Sequence, residues 1–239
     1  MPETRYQRIL LKLSGQILAG DQEHGISSSR LTTLVSEIKD IVEMGVQVGI
    51  VVGGGNIFRG SEAQRLGMDR VNADQMGMLA TVINALALQD HLERLGVTAH
   101  VLSAIGMERL AEPFVRRNAI SLLRDGHVVL MAGGTGNPYF TTDTAAVLRA
   151  IETGAEVLLK ATRVRGVFTS DPITDPGAVF LEKVDYLEVI NRGLKVMDVT
   201  AISLCMENDL PIIVFDANVE GNLKRAIMGE SVGTFVGEL

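Results

Sequence analysis

Lys12 ends the apolar run Ile9-Leu10-Leu11 and is followed at once by Leu13-Ser14-Gly15. A second β-branched run ends in Gly53-Gly54-Gly55-Asn56 with Arg59 shortly after it. A third ends in Gly133-Gly134-Thr135-Gly136-Asn137, ahead of Thr141-Thr142-Asp143. In open parallel sheets, ligands bind beyond the carboxyl ends of the strands, so three glycine turns there would line one crevice. Glycine lets backbone N–H groups approach phosphate oxygens with no Cβ in the way, and a following helix N-terminus adds a favourable dipole. One such turn is a weak signal, because glycine also serves simply to turn the chain. Three of them, accompanied by Lys12, Arg59 and a Thr/Asp run, describe a polyphosphate site.

Absences narrow the kind of site. The chain has no G-x-x-x-x-G-K-[ST] and none of the protein-kinase catalytic-loop signatures. Nor does a G-x-G-x-x-G stand between a strand and a helix, which leaves a dinucleotide site unsupported.

The elements that must hold these residues are legible as an alternation. Strands are predicted at 8–13, 46–52, 99–103, 127–132, 156–160 and 211–215, mostly without polar alternation and therefore buried on both faces. Between them, Leu31, Leu34, Val35, Ile38, Ile41 and Val42 recur at helical spacing behind the N-cap candidates Ser27 to Ser29 and stop near Gly45. Further helices are predicted at 73–95, 113–123, 144–153, 198–208 and 221–228. This pattern predicts an α/β protein with a mainly parallel sheet. After Gly154 the texture changes, and residues 163–180, with Gly166, Pro172, Pro176 and Gly177, read as a β-hairpin and loop. The chain is expected to form one domain, 1–239, with functional halves of about 1–155 and 156–239.

Composition bounds the rest. The 239 residues are 46% hydrophobic and 21% charged, enough for a sizeable core and too apolar for a disordered chain. No apolar stretch approaches the roughly 20 residues of a membrane span, and no apolar run at the N-terminus resembles a signal peptide. The expectation is a cytoplasmic protein. The single cysteine, Cys205, excludes an internal disulfide, and four scattered histidines make a histidine metal cluster unexpected. The net charge of −7 opposes broad nucleic-acid binding, so an anionic ligand must be held by local cations.

Several segments together resemble the bacterial uridylate kinases of the amino acid kinase superfamily. They are Leu11 to Gly15, Val52 to Asn56 with Arg59-Gly60, Asp74 to Thr81, and Gly134 to Asp143 in the form G-T-G-N-P-x-F-T-T-D. Lys160-Ala161-Thr162 with Gly166-Val167-Phe168, and Lys195 to Asp198, complete the set. The resemblance spans nearly the whole chain, and the G-T-G-N-P segment is its most specific part. It implies a three-layer αβα sandwich, the amino acid kinase fold, and ATP-dependent phosphorylation of UMP to UDP in pyrimidine nucleotide biosynthesis by a homohexamer. Mg²⁺ would be carried mainly on the ATP phosphates.

The resemblance also implies roles. Lys12 and Lys160 would act on the transferred phosphoryl group, with Asp143 between them as organiser. Asp143 has a second reading, as the N-cap of the helix predicted from Thr144. ATP would be bound by Lys12, Leu13, Ser14, Gly15, Gly55, Arg59, Thr162, Phe168 and Asp171, with Phe168 near the adenine. UMP would be bound by Gly54, Asp74 and Thr135, Gly136, Asn137, Pro138, Tyr139, Phe140, Thr141 and Thr142. Asp74 suits ribose hydroxyls, since its charge repels phosphate. Met76, Met78, Leu79, Val82, Ile83 and Leu86 read as helix core or a subunit contact.

Gly20, Asp21, Gln22, Glu23, His24 and Gly25 match in place the segment linked to GTP activation, with UTP as the corresponding inhibitor. His100 and His127 stand where basic guanidinium groups assist GTP in some members, and Arg165 stands where an acidic residue is usual. The acceptor is a phosphate oxygen already ionised near neutral pH, so no strong general base is required. Two other readings remain open. One is an amino acid kinase acting on glutamate, aspartate, carbamate or acetylglutamate. The other is a nucleotide or oxyanion storage or sensor protein of the same fold.

Overall fold

The computed structural model describes residues 4–60, 63, 67–172 and 174–238. Strand β1 (Arg8–Leu13) runs into the short helix α1 (Gly15–Ala19), then α2 (Ser28–Glu43) and β2 (Gln47–Val52). Helix α3 (Arg70–Arg94) leads to β3 (Ala99–Ser103), β4 (Glu112–Pro113), α4 (Arg116–Arg124), β5 (Val128–Ala132) and α5 (Thr142–Thr153). The second half holds β6 (Val157–Thr162), β7 (Val167–Phe168), β8 (Phe180–Leu181), β9 (Lys183–Val184), α6 (Tyr186–Arg192) and α7 (Val199–Glu207). It closes with β10 (Ile212–Asp216), α8 (Asn222–Ile227) and β11 (Thr234–Val236).

Nine of these strands form one sheet in the order β4-β3-β5-β2-β1-β6-β10-β11-β9. Every pairing is parallel except that of β10 with β11. The sheet crosses from one predicted half to the other at the β1–β6 pair, so Lys12 and Lys160 become neighbours in register.

Residues of β1 alternate between two apolar layers. Ile9, Leu11 and Leu13 pack with α1, α2, α3 and α8 through Ile17, Leu34, Leu88 and Leu223. Leu10 faces the opposite layer, where Ala119, Val147, Val189 and Ile202 come from α4, α5, α6 and α7. This double burial explains why the strands lack polar alternation, and it makes the three-layer αβα sandwich. Cys205 lies inside the second layer, where burial pushes its thiol up to about 12.

Three expectations shift at helix starts. Asp69 caps α3 by accepting from the N–H groups of Val71 and Asn72, so that helix begins before Ala73. Pro113 belongs to β4, and α4 begins only at Arg116. Helix α5 is capped by Thr141, whose hydroxyl accepts from the N–H groups of Asp143 and Thr144. Asp143 therefore sits in the first turn, and its reading as the N-cap is overturned. The hairpin expected in 163–180 is present as the β7–β8 pair.

Candidate active site

The three glycine turns meet at one end of the sheet. A Cβ on Gly15 would come within 2.4 Å of Asn56 Oδ1 and 2.8 Å of Gly53 O, so the first two turns touch through bare backbone. Gly54 packs as closely on α3, where a Cβ would meet that of Ala80 at 2.7 Å. Gly55 differs: a Cβ there would enter open space, so glycine keeps room for an approaching group. The third turn joins when Thr81 Oγ1 accepts from Gly133 N at 2.9 Å. Beneath them, Asn56 and Asn84 exchange amide hydrogen bonds at 2.7 and 3.0 Å with no exposure at all.

At the centre, Asp143 lies between the two lysines. Lys12 Nζ is 2.7 Å from Oδ1 and Lys160 Nζ is 2.8 Å from Oδ2. Oδ1 has no aligned hydrogen-bond donor, so its charge is balanced by the proximity of Lys12. Burial opposes ionisation of Asp143, but the two ammonium groups outweigh it and hold its pKa below the usual value. Burial lowers the pKa of Lys160, as does the charge of Lys12, and the attraction of Asp143 only partly offsets this. Lys160 also donates to Val196 O at 2.5 Å.

Asp198, for which the sequence suggested no separate role, locks this arrangement. It caps α7 by accepting from Ala201 N at 2.9 Å, and it accepts from the hydroxyls of Thr141 and Thr144. The first turn of α5, and with it Asp143, is thus tied to the start of α7. The signal was present in Lys195 to Asp198, but the contact joins residues more than fifty positions apart.

Two clefts flank the charged centre. One, about 140 Å³, is lined by Gly54, Gly55, Asp74, Thr135, Phe140, Thr141 and Thr142, among others. Gly136, Asn137, Pro138 and Tyr139 do not line it. Asp74 instead holds that loop by accepting from Tyr139 N at 2.8 Å, with Tyr139 in the left-handed region at φ 74°. Arg70 pairs with the same carboxylate at 2.8 Å.

The other cleft, about 230 Å³, is lined by Phe168, Asp171, Val164 and Lys195. Its hairpin is fastened by Thr234, which sequence reasoning missed: Oγ1 accepts from Val167 N and donates to Leu181 O. Thr162 is turned inward, donating to Val164 O and Phe215 O. Leu13 is fully buried and packs in the first apolar layer. Ser14 caps α1 by accepting from Gln16 N.

Arg59 spans from Gly55 O at 3.0 Å to Gln16 Oε1 at 2.9 Å and Glu23 O at 3.4 Å. The segment Gly20 to Gly25 is thereby joined to the second glycine turn, and a reciprocal Gly25–Asn56 contact of 2.8 Å strengthens the link. His100 and His127 lie at the opposite end of the sheet, stacked 5.1 Å apart, with Glu112 3.4 Å from His100.

The amino acid kinase family model matches residues 7–216. The chain belongs to the amino acid kinase family. Within that family it is similar to the UMP kinase of Bacillus anthracis, with 40% identity and a TM-score of 0.94 over 97% of this chain and 96% of that one. It is also similar to the UMP kinase of Ureaplasma parvum, with 39% identity and a TM-score of 0.92 over 98% and 100% of the two chains. The uridylate kinase of Archaeoglobus fulgidus matches at 28% identity and a TM-score of 0.75 over 96% and 99%. The shared fold thus carries, in this chain, two lysines paired with one carboxylate at its centre.

No helix among the described residues is long and apolar enough to cross a membrane. Nor do those residues contain a group of three or more His, Cys, Asp or Glu able to hold a metal ion.

Proposed function

We propose that this protein transfers the terminal phosphoryl group of ATP to UMP, yielding UDP and ADP, and so serves the synthesis of UTP and CTP. The observation that carries this reading is the Lys12–Asp143–Lys160 arrangement across the β1–β6 pair, within a chain whose 39–40% identical relatives are UMP kinases.

The reaction brings two anions together, so the site must neutralise charge and align the attacking oxygen with the bond that breaks. An acceptor phosphate oxygen of UMP attacks the γ-phosphorus, and the bond from that phosphorus to the β-bridging oxygen breaks, leaving ADP. Lys12 and Lys160 meet the charge that spreads over the moving group. Asp143 keeps both ammonium groups pointed at one place.

The acceptor cleft is assigned to Gly54, Asp74 and Thr135 to Thr142. The donor is assigned to Lys12 through Gly15, Gly55, Arg59, Thr162, Phe168 and Asp171. Within a single domain, the half 1–155 then holds all of the acceptor groups and shares the donor with the half 156–239, which adds Thr162, Phe168 and Asp171. A Mg²⁺ ion fits as a passenger on ATP: the centre offers one carboxylate, already flanked by lysines, and this ion keeps phosphate and water oxygens as ligands. Bound there, it would neutralise phosphate charge.

Self-association into a hexamer is supported by α3, where Met76, Leu79 and Ile83 form an exposed apolar stripe while Met78 and Val82 are core. Activation by GTP through Gly20 to Gly25, opposed by UTP, is supported by the links from that segment to Asn56 and Arg59. The protein is assigned to the cytoplasm.

Lys12→Ala should lower kcat by about 10²–10³-fold while circular dichroism and the thermal midpoint show a folded protein. Near-normal turnover in that variant would refute the phosphoryl-stabilising role.

A further inference from the structure

The hairpin that carries Phe168 has little of its own to hold it. β7 and β8 are two residues long and pair only with each other, far short of what stands alone in water. Phe168 and Phe180 lie directly opposite one another in that pair, with ring centroids 5.5 Å apart at 62°. Cross-strand aromatic pairs of this kind stabilise a hairpin only while both rings keep their orientation.

Phe180 is held by two further groups. The Arg165 guanidinium carbon lies 4.1 Å from its ring centroid. The backbone of Gly166 closes on the same ring, since a Cβ there would come within 2.9 Å of Phe180 Cε2. Phe168 lines the donor cleft, whereas Arg165 and Phe180 line a separate cavity of about 410 Å³ with Glu182, Lys183 and Phe235. Val164 and Gly166, on either side of Arg165 in the chain, line the donor cleft, but the Arg165 guanidinium lies in the second cavity and meets Phe168 through the Phe180 ring.

We propose that Arg165 is a positioning residue for the nucleotide donor: stacked on Phe180, it fixes Phe168 as the apolar wall against which the purine base packs. The inference rests on assigning the Phe168 cleft to ATP. With the stack loosened, Phe168 samples other orientations, and ATP binding must supply the cost of ordering it.

The test is steady-state kinetics on the full-length protein with ATP and UMP varied separately. Arg165→Ala should raise KM for ATP about two- to fivefold, the ratio expected from an exposed cation–π contact. Its kcat and its KM for UMP should be unchanged. Arg165→Lys should recover part of the loss, because an ammonium can also sit over the ring. In a Phe180→Leu background, shown to be folded by its thermal melt, adding Arg165→Ala should cause no further change.

A normal KM for ATP in Arg165→Ala would overturn the inference. So would the full Arg165→Ala effect persisting without Phe180, or equal changes in every constant. Phe168→Ala separates the two levels. If it leaves KM for ATP unchanged, the donor assignment itself fails; if it raises KM while Arg165→Ala does not, only the role of Arg165 fails.

Discussion

Lys12, Asp143 and Lys160 divide the electrostatic work unevenly. The charge of Asp143 is favoured by its two partners against the cost of burial, whereas that of Lys160 is disfavoured overall. For Asp143, whose folded pKa is depressed, stability is present above the unfolded pKa and is lost as pH falls through the folded value. For Lys160, a base with a depressed pKa, the native state binds fewer protons than the unfolded chain between the two values, and stability rises with pH there. Turnover should move the other way, because the uncharged amine no longer meets the phosphoryl group. We therefore expect an alkaline limb in kcat that begins below pH 10.5, the ordinary lysine value, while the thermal midpoint holds over the same window. A kcat that stays flat to pH 10.5 would contradict this role.

Strand ends and helix starts carry these residues, and they were legible to different degrees. The six buried strands and the glycine turns after them follow from local pattern, because a strand covered on both faces must be apolar throughout. Lys12 and Lys160 could each be placed at a strand end, but their adjacency depends on β1 pairing with β6 across nearly 150 residues. Thr141 as the cap of α5 was hidden because Thr142 and Asp143 are capping types too. Asp198 was legible as the start of a predicted helix, which it caps through Ala201 N, but its bonds to Thr141 and Thr144, like those of Thr234 to the β7–β8 hairpin, join residues distant in sequence. The segment Gly20 to Gly25 is a further case. Its sequence offered only the match to a segment linked to GTP activation, whereas the structure has Asn56 and Arg59 fasten it to the second glycine turn. An effector that moves this segment would therefore move the second glycine turn. GTP added to an initial-rate assay should change the rate or its sensitivity to UTP, and constancy of both would sever the link.

On the scale of the whole molecule, one sheet of nine strands joins the acceptor and donor sides, and two apolar layers clamp it. The net charge of −7 is compatible with binding two anionic nucleotides because the cations needed are gathered at one end of the sheet. The periodicity of α3 revealed a helix with more apolar positions than one core face can take. Once Met78 and Val82 are buried, Met76, Leu79 and Ile83 remain at 38%, 52% and 50% exposure. Such a stripe favours association, since each apolar side chain removed from water contributes about 1.5–3 kcal/mol. Ile83→Glu should shift the protein to smaller species in analytical ultracentrifugation. An unchanged sedimentation profile would place the subunit contact elsewhere.

The central claim is that the lysine-flanked carboxylate and its two clefts transfer phosphate from ATP to UMP. Its most direct test is ADP release from Mg²⁺–ATP with UMP, CMP, AMP, GMP, glutamate, aspartate and carbamate offered as separate acceptors. Turnover strongest with UMP, and absent with the carboxylate and carbamate acceptors, is the result this account predicts. Turnover with one of those acceptors in place of UMP would contradict it, as would folded protein that binds ATP and releases no ADP with any of them.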